Sequence, residues 1–275
     1  MFAEPFMQRA FVEMALLSLL CGLVGTVVLI RRHAFVTDAL SHTVFPGVAV
    51  GYAAGNHLFL GALVAAVISA VLLAVLTRVR RADDDSVLAL LISSFFAFGI
   101  IVVSRRPSFQ SDLGTFLFGS VLTVDRNVIV QTAAITVIVI VVLVAAGKEL
   151  YLRAFDVEAA SAMGYKVPVL DSILNSLVAL VVVSAAQAVG TALVVPLLIV
   201  PAATSRLVSD RVGRIAVLSI VLTAVGAAAG LAVSYSASVR HSLRVEAGAA
   251  ITSILVVVFA ITAFATTMAR RRRPV

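Results

Sequence analysis

Long apolar runs, separated by short polar segments, dominate the pattern of this sequence. An α-helix needs about 20 apolar residues to cross the hydrocarbon core of a membrane, and it satisfies its own backbone hydrogen bonds there. The pattern therefore predicts an all-α fold, a polytopic transmembrane bundle of eight or nine helices, in a single domain over residues 1–275. The nine apolar runs are 11–30, 39–54, 58–76, 87–103, 128–146, 173–189, 191–203, 215–233 and 247–268.

The composition excludes a water-soluble protein. Hydrophobic residues make up 61% of the 275 residues and charged residues 13%, and the mean hydropathy is +1.13. The single cysteine, Cys21, lies within an apolar run, which excludes an intramolecular disulfide framework. The first run follows MFAEPFMQRAF, which lacks a basic stretch and a small-residue cleavage site, so we expect a retained helix there.

The distribution of basic residues predicts the orientation in the membrane. The net charge is +7, but Lys and Arg occur in short clusters between apolar runs, which favours a lipid surface over nucleic acid as the partner. With nine spans and an outer N-terminus, one side receives 15 of the 21 Lys and Arg residues and is therefore cytoplasmic. An interfacial first run would leave eight spans and require a new assignment. The 15 residues are Arg31, Arg32, Arg78, Arg80, Arg81, Lys148, Arg153, Lys166, Arg206, Arg211, Arg214 and Arg270 to Arg273.

Prolines mark two of the shorter runs. Pro46 lies in the second run, and Pro196 and Pro201 lie in the seventh, so we expect each of these helices to be broken or tilted. Gln187 and Gly190 precede the seventh run. Together with the prolines of the seventh run, these two residues indicate an interrupted hairpin that could line a cavity, or else ordinary helix kinking.

Two connections are long enough to hold structure of their own. The outer segment 104–125 mixes polar and aromatic residues, which predicts a re-entrant or surface helix. The cytoplasmic segment 148–168 contains Asp156 and Glu158, followed by small residues and Gly164. Acidic residues stabilise the start of a helix and glycine favours its end, so a short helix is predicted there. A merely interfacial amphipathic helix is the alternative.

A carboxylate and an imidazole lie near the start of the second run. Asp38 and His42 are four residues apart, which places both side chains on one face of a helix. Charged groups in a membrane are costly and tend to face a polar pathway, and this pair of ligands suits Zn²⁺, Mn²⁺ or Fe²⁺. A metal-free intrahelical contact near the cytoplasmic interface is equally compatible with the spacing. Two side chains leave a coordination shell incomplete, so a metal site would need water, another helix or a second subunit.

The remaining polar features favour simpler roles. His33, His57 and His241 lie at interfaces or in turns, where we expect them to be solvated. The acidic run 83–85 is expected to cap the next helix, with a metal-collecting patch as the alternative. No G-x-x-x-x-G-K-[ST] motif occurs in the sequence, so we expect that any energy from ATP arrives through a partner.

Several segments resemble, in order, the transmembrane permeases of bacterial ABC importers for manganese, zinc and iron. The most specific are LIRRHAFVTDALSHTVFPGVAVGYAAG and LLIVPAATSRL, and DLGTFLFGSVL and FDVEAASAMGYKVP match as well. The resemblance covers nearly the whole chain. The sequence departs from the family at Thr37, where glycine is common, and in SASVRHSLRVEAGAA, where a short proline-glycine turn is usual.

This resemblance implies a fold related to the type II ABC importer permeases, which carry vitamin B12 and siderophores, in the bacterial cytoplasmic membrane. It implies a homodimer around a central path, with cytoplasmic ATPase subunits and an extracytoplasmic metal-binding lipoprotein as partners. ATP hydrolysis would belong to the ATPase, so this chain would not be an enzyme. A divalent Mn²⁺, Zn²⁺ or Fe²⁺ ion would be its cargo and not a cofactor.

The resemblance also assigns residues. Asp38 and His42 match the metal pair that the family places in its translocation path. The segment with Asp156, Glu158, Ala159 and Gly164 matches the cytoplasmic coupling helix, which fits a groove on the ATPase.

Three other functions would fit part of these features. A siderophore or vitamin-type ABC permease shares the implied fold, but its wider cavity would lack ion ligands. An ATP-independent secondary metal transporter would also place Asp and His in the membrane, but its uptake would resist vanadate. A non-transporting membrane scaffold would copurify with no ATPase.

Overall fold

The computed structural model describes residues 4–55, 57–76, 84–104, 119, 121–241 and 245–271. Within them the chain forms ten α-helices and one 3₁₀ turn, Val121–Thr123. Each of the nine predicted apolar runs coincides with one long helix, which confirms the all-α fold class. The helices are α1 (Pro5–Ile30), α2 (Ala34–Ala53), α3 (Leu58–Leu76), α4 (Asp84–Ser104), α5 (Arg126–Phe155), α6 (Val157–Ala162), α7 (Val167–Val189), α8 (Thr191–Val208), α9 (Val212–His241) and α10 (Ala247–Arg271).

Six of these helices are long and apolar enough to cross a membrane, which confirms the polytopic membrane prediction. The helices α3 and α4 carry shorter apolar stretches, Leu58–Leu73 and Ser86–Val102. The six spans are Pro5–Ile30, Arg126–Phe155, Val167–Val189, Thr191–Val208, Val212–Ser238 and Ala247–Ala269.

Helices α1 and α7 form the centre of the bundle. More than half of the residues in each are buried, and α7 packs against α1, α2, α3, α5 and α8. On one side α3 and α4 pack on α2, and on the other α9 and α10 pack on α8. Because lipid is as apolar as the side chains, close packing between helices, and not transfer out of water, stabilises such a bundle.

Glycines bring α2 and α3 into backbone contact. A Cβ added to Gly47 would overlap the carbonyl oxygen of Gly61, and a Cβ added to Gly61 would overlap the carbonyl oxygen of Gly47. Small residues at such an interface let two backbones approach closely. This contact fixes the position of α2, the helix that carries Asp38 and His42.

The prolines do not end their helices. α2 continues through Pro46, and α8 continues through Pro196 and Pro201. Gly190 alone separates α7 from α8, so the break in this hairpin lies at the glycine and not at a proline.

The predicted connections are only partly described. α5 continues to Phe155, so the first eight residues of segment 148–168 belong to this helix, and Asp156 separates it from α6. The last turns of α5 carry charged and aromatic residues, which suit a helix that extends beyond the hydrocarbon core. The predicted re-entrant or surface helix falls mainly on residues 105–118, outside the described residues. Of the predicted acidic cap at 83–85, Asp84 and Asp85 are the first two residues of α4, and only residue 83 lies outside the described residues.

Candidate metal site and coupling segment

Asp38 and His42 lie one helical turn apart in the first half of α2. The helix begins at Ala34, with His33 as its N-cap. The carboxylate Oδ1 of Asp38 is 3.6 Å from Nε2 of His42, and the two side chains are 45% and 44% exposed. A cation bound to both groups at about 2.0–2.2 Å would hold them about 3.0 Å apart in octahedral geometry and about 3.4 Å apart in tetrahedral geometry. A small side-chain adjustment therefore brings this pair to ligand geometry.

The opposite face of α2 is packed. Ala39, Leu40 and Val44 are almost fully buried, so the helix presents Asp38 and His42 on its open side. The hydroxyl of Ser41 donates to the backbone carbonyl of Asp38 over 2.7 Å. The hydroxyl hydrogen of Ser41 is therefore donated to the backbone and not to the Asp38 carboxylate.

Thr37 lies beside this pair, at the position where the sequence departs from the resembled family. Its side chain is fully buried, and its hydroxyl has no hydrogen-bond partner among the described residues. A buried hydroxyl without a partner is costly. Thr37 therefore packs against the bundle and does not join the two candidate ligands.

The pair lies in the first half of α2, the half nearer the side that the charge distribution predicts to be cytoplasmic. With a rise of about 1.5 Å per residue, Asp38 is about 6 Å and His42 about 12 Å beyond the first residue of α2. Arg31 and Arg32, which precede α2, are on the side that the charge distribution assigns to the cytoplasm.

Asp38 and His42 alone would give a metal ion only two ligands. Among the described residues, no group of three or more His, Cys, Asp or Glu side chains could hold a metal ion. An ion held by Asp38 and His42 would therefore need further ligands from outside the described His, Cys, Asp and Glu residues, such as water or a second chain. An open, incomplete shell suits an ion that has to leave again.

An apolar cavity of about 450 Å³ begins one turn beyond His42. It lies between α2, α3 and α4, and its lining includes Pro46, Gly61, His57 and Phe98. Because this lining is almost entirely apolar, the cavity offers no ion site of its own. The candidate ion site is the open face at Asp38 and His42.

The short helix predicted in segment 148–168 is present as α6. Asp156 is its N-cap, and Oδ1 of this residue accepts a hydrogen bond of 2.9 Å from the backbone N–H of Ala159. Glu158 lies in the first turn, where a negative charge stabilises the helix N-terminus. The acidic start predicted from the sequence is therefore confirmed, with Asp156 as the N-cap.

Gly164 ends α6 in the left-handed region, with φ +84°. The N–H of Gly164 donates to the carbonyl of Ser161 over 3.0 Å, and the N–H of Tyr165 donates to the carbonyl of Ala160 over 3.1 Å. This pair of bonds is a Schellman motif, which favours glycine at the left-handed position. The glycine stop predicted from the sequence is present.

Exposed apolar side chains surround α6. Phe155 is 63% exposed and Met163 68% exposed, and Val157 and Tyr165 are also exposed. Contiguous exposed apolar side chains in a polar setting are typical of a protein interaction site. The surface of α6 is therefore suited to contact another protein.

The structure also shows an ionic cluster that the sequence analysis missed. Asp171, in the first turns of α7, accepts a hydrogen bond from Nη2 of Arg153 over 3.1 Å and another from Nη2 of Arg31. Burial lowers the pKa of Arg31 below its usual value, and Asp171 opposes that shift. The available signal was a lone acid near the start of the apolar run VPVLDSILNSL.

A second missed pair lies within the membrane. Glu13 on α1 is fully buried, and its Oε1 accepts a hydrogen bond of 2.7 Å from the hydroxyl of Thr132 on α5. The other oxygen, Oε2, is buried with no partner among the described residues. A single acid in the run FVEMALLSLL was its only sequence signal.

Comparisons with known proteins agree with this arrangement. A sequence profile of the ABC 3 transport family matches residues 3–266. The chain is 35% identical over 264 residues to the manganese transport system membrane protein MntC of Listeria monocytogenes. This alignment covers 94% of this chain and 92% of that protein. It is 31% identical over 268 residues to the manganese import system permease protein ScaB of Streptococcus parasanguinis, with 98% and 93% covered.

A solved structure has the same fold. The chain aligns with PsaBC from Streptococcus pneumoniae, solved in complex with Fab, with a TM-score of 0.83 and 31% sequence identity. The alignment covers 94% of this chain and 91% of that chain. From its family profile and its apolar spans, this chain is a multi-pass ABC transport permease of the bacterial cytoplasmic membrane, and it belongs to the ABC 3 transport family.

Proposed function

We propose that this chain is the translocation subunit of an ABC importer that carries Mn²⁺ into the cytoplasm, with Asp38 and His42 as the ligands that hold the ion in transit. The observation that carries the proposal is the open pair on α2, a carboxylate and an imidazole 3.6 Å apart on an otherwise apolar helix. Ionisable groups in membrane segments are costly, which makes a functional role the default interpretation.

The chemistry of the pair supports a divalent transition metal. Carboxylate oxygen suits Mn²⁺, and imidazole nitrogen suits Zn²⁺ and Fe²⁺ as well. The relatives at 35% and 31% identity are named as manganese transport proteins, which supports Mn²⁺ as the principal cargo. Zn²⁺ and Fe²⁺ are then the expected competitors.

A second copy of the chain would complete the coordination shell. A twofold axis beside α2 would bring two carboxylates and two imidazoles to one point. Four protein ligands with two waters would satisfy an octahedral Mn²⁺ ion, whereas one chain alone offers only two ligands. The half-exposed state of Asp38 and His42 supports this arrangement, because neither side chain is covered within its own chain.

The partners follow from the two ends of the bundle. A cytoplasmic ATPase would contact α6, where exposed Phe155 and Met163 surround a capped helix. An extracytoplasmic metal-binding lipoprotein would deliver the ion to the outer ends of the helices. ATP binding would then shift the bundle between two states with different affinities for the ion, which gives the cycle its direction.

The decisive experiment measures ATP-dependent Mn²⁺ uptake into proteoliposomes that contain the assembled importer. Asp38→Ala and His42→Ala should each lower uptake by at least about tenfold, the low end of what losing an outer-sphere partner costs at a metal site. His57→Ala is the matched control, because His57 is an exposed histidine beyond the other end of α2. Full uptake by both site variants would remove the pair from the mechanism.

The contact with the ATPase is tested separately. Glu158→Arg reverses the charge in the first turn of α6 and opposes the helix dipole. It should uncouple ATP hydrolysis from uptake while Mn²⁺ binding to the importer is kept. An unchanged ratio of ATP hydrolysed to Mn²⁺ transported would exclude this segment as the coupling element. Vanadate-resistant uptake by the unmodified importer would instead favour a secondary transporter.

A further inference from the structure

One carboxylate joins the cytoplasmic ends of three helices. Asp171 on α7 bonds Arg153 in the last turn of α5 through Oδ2, and Arg31 at the end of α1 through Oδ1. The side chains of Arg31 and Arg153 are 1% and 17% exposed, and that of Asp171 is 30% exposed. Because a buried guanidinium without a partner is strongly unfavourable, these three groups are expected to move together.

The cluster lies between the two segments that the proposed function uses. Arg153 precedes Asp156, the N-cap of α6, by three residues in the same helical turn. Arg31 is followed by a tight turn into α2, where Asp38 is seven residues further along the chain. Asp171 therefore connects the segment that would contact the ATPase with the helix that carries the candidate metal ligands.

The turn from α1 to α2 is stiff. Arg32 has φ +58° and is the only non-glycine residue with positive φ among the described residues. The N–H of Arg32 donates to the carbonyl of Leu29, and the N–H of His33 donates to the carbonyl of Val28, each over 3.1 Å. A non-glycine residue stays in this conformation only where its surroundings enforce it. A displacement of Arg31 is therefore passed on to the start of α2.

Buried polar atoms without a partner occur on the arginines of this cluster and on residues near it in the chain. Nη1 of Arg31 and Nε of Arg153 are buried donors without a partner among the described residues. Oε2 of Glu149 and Oδ1 of Asn175 are buried acceptors in the same condition. Glu149 precedes Arg153 by one turn of α5, and Asn175 follows Asp171 by one turn of α7. Because residues four apart on a helix are neighbours, Glu149 is a candidate second partner for Arg153.

We propose that Asp171 is a positioning residue for transport, which transmits the movement of α6 to α2 through Arg153 and Arg31. This inference rests on the proposed function, since it needs an ATPase at α6 and an ion at Asp38 and His42. In the arrangement described, both arginines are held by Asp171. In the other arrangement, Arg153 is released to Glu149, and the α1–α2 turn moves with Arg31.

The test uses the assembled importer in proteoliposomes, with Mn²⁺ and ATP. Asp171→Asn keeps the size and an acceptor oxygen but removes the charge that holds two arginines. ATP hydrolysed per Mn²⁺ transported should rise by about tenfold, within the range of coupling between two sites. Equilibrium Mn²⁺ binding and the assembled fraction on gel filtration should stay within about twofold of the unmodified importer, because Asp171 is not proposed as a ligand.

Two further variants separate positioning from simple stability. Asp171→Glu keeps the charge and should restore most of the coupling, whereas Glu149→Gln should partly uncouple an importer whose Asp171 is intact. Asp210→Asn is the matched control, because Asp210 is an exposed acid in the cytoplasmic turn between α8 and α9. If Asp171→Asn fails to assemble, the ratio of ATP hydrolysed to Mn²⁺ transported is measured in Glu149→Gln and Arg153→Lys instead.

Failure of the proposed Mn²⁺ import and failure of the Asp171 role give different results in this assay. If the unmodified importer shows no ATP-dependent Mn²⁺ uptake, the proposed function fails. If the unmodified importer transports Mn²⁺ and assembled Asp171→Asn keeps the same ratio of ATP to Mn²⁺, the positioning role of Asp171 is wrong. Loss of Mn²⁺ binding in Asp171→Asn would also contradict it, since that result would place Asp171 at the ion site.

Discussion

Asp38 and His42 face the same open side of α2, with 3.6 Å between Oδ1 and Nε2, while the opposite side of the helix is buried against the bundle. An Asp–His contact that only stabilised the helix could lie at its exposed end. Here the pair lies about one to two turns into the helix. The open face of α2 therefore presents a carboxylate and an imidazole, two potential metal ligands of different chemical type.

This mixed ligand pair predicts a change in metal preference. His42→Asp would convert the pair to two carboxylates, which favour Mn²⁺ over Zn²⁺, whereas imidazole favours Zn²⁺. The Zn²⁺ concentration that halves Mn²⁺ uptake should therefore rise by about tenfold, which corresponds to ~1.4 kcal/mol of lost preference. Competition assays in proteoliposomes check this result. An unchanged inhibition curve with sustained Mn²⁺ uptake would show that His42 does not contact the metal.

The buried pair of Glu13 and Thr132 predicts a stability effect that is not additive. Thr132→Val removes the hydroxyl that donates to Glu13 and should lower the free energy of unfolding by about 1–3 kcal/mol, the cost of a buried polar group without a partner. Glu13→Leu together with Thr132→Val should be nearly neutral, because neither polar group then remains. Unfolding in mixed micelles, followed by circular dichroism, measures both. Equal losses in the single and double variants would contradict the pairing.

The contact of α2 with α3 predicts opposite effects at two glycines. Gly61→Ala should destabilise the protein by about 1–3 kcal/mol, because its Cβ would overlap the backbone of Gly47. Gly147→Ala in α5 is the matched control, since a Cβ there meets nothing within 4 Å. It should be neutral or stabilising by up to about 1 kcal/mol, from the better helix propensity of alanine. The same unfolding assay applies, and equal effects at both glycines would be inconsistent with the close approach.

The end of α6 predicts a conformational effect on coupling. Gly164→Ala places a Cβ in open space but forces alanine into a left-handed conformation at a cost of about 1–2 kcal/mol. The Schellman turn should loosen, and ATP hydrolysed per Mn²⁺ should rise several-fold. Gly213→Ala, near the cytoplasmic start of α9, also has open space at its Cβ and lacks the positive φ. A coupling ratio changed equally by both variants would point to a general effect and not to α6.

The helices could be predicted from the sequence because a membrane span is a local property of about 20 residues. The same holds for Asp38 and His42, whose spacing alone puts them on one face of a helix, and for α6, whose cap and glycine are both local signals. The boundary of α5 was missed because its last turns are polar, so hydropathy ended where the helix did not.

The ionic and polar contacts between helices could not be predicted in this way. Arg31 and Asp171 are 140 residues apart in the chain, and Glu13 and Thr132 are 119 apart. Each pair exists only because α1 packs against α5 and α7, and no periodicity in the sequence reports that packing. A lone acid in an apolar run was the only sequence signal of either pair, and it does not identify a partner.

Pulsed electron paramagnetic resonance of Mn²⁺ bound to the assembled importer tests the central claim most directly, since it detects a nitrogen ligand on the ion itself. A ¹⁴N coupling should be present in the unmodified importer, lost in His42→Ala and kept in His57→Ala. A ¹⁴N coupling that persists in His42→Ala, or bound Mn²⁺ without any nitrogen coupling, would contradict the account.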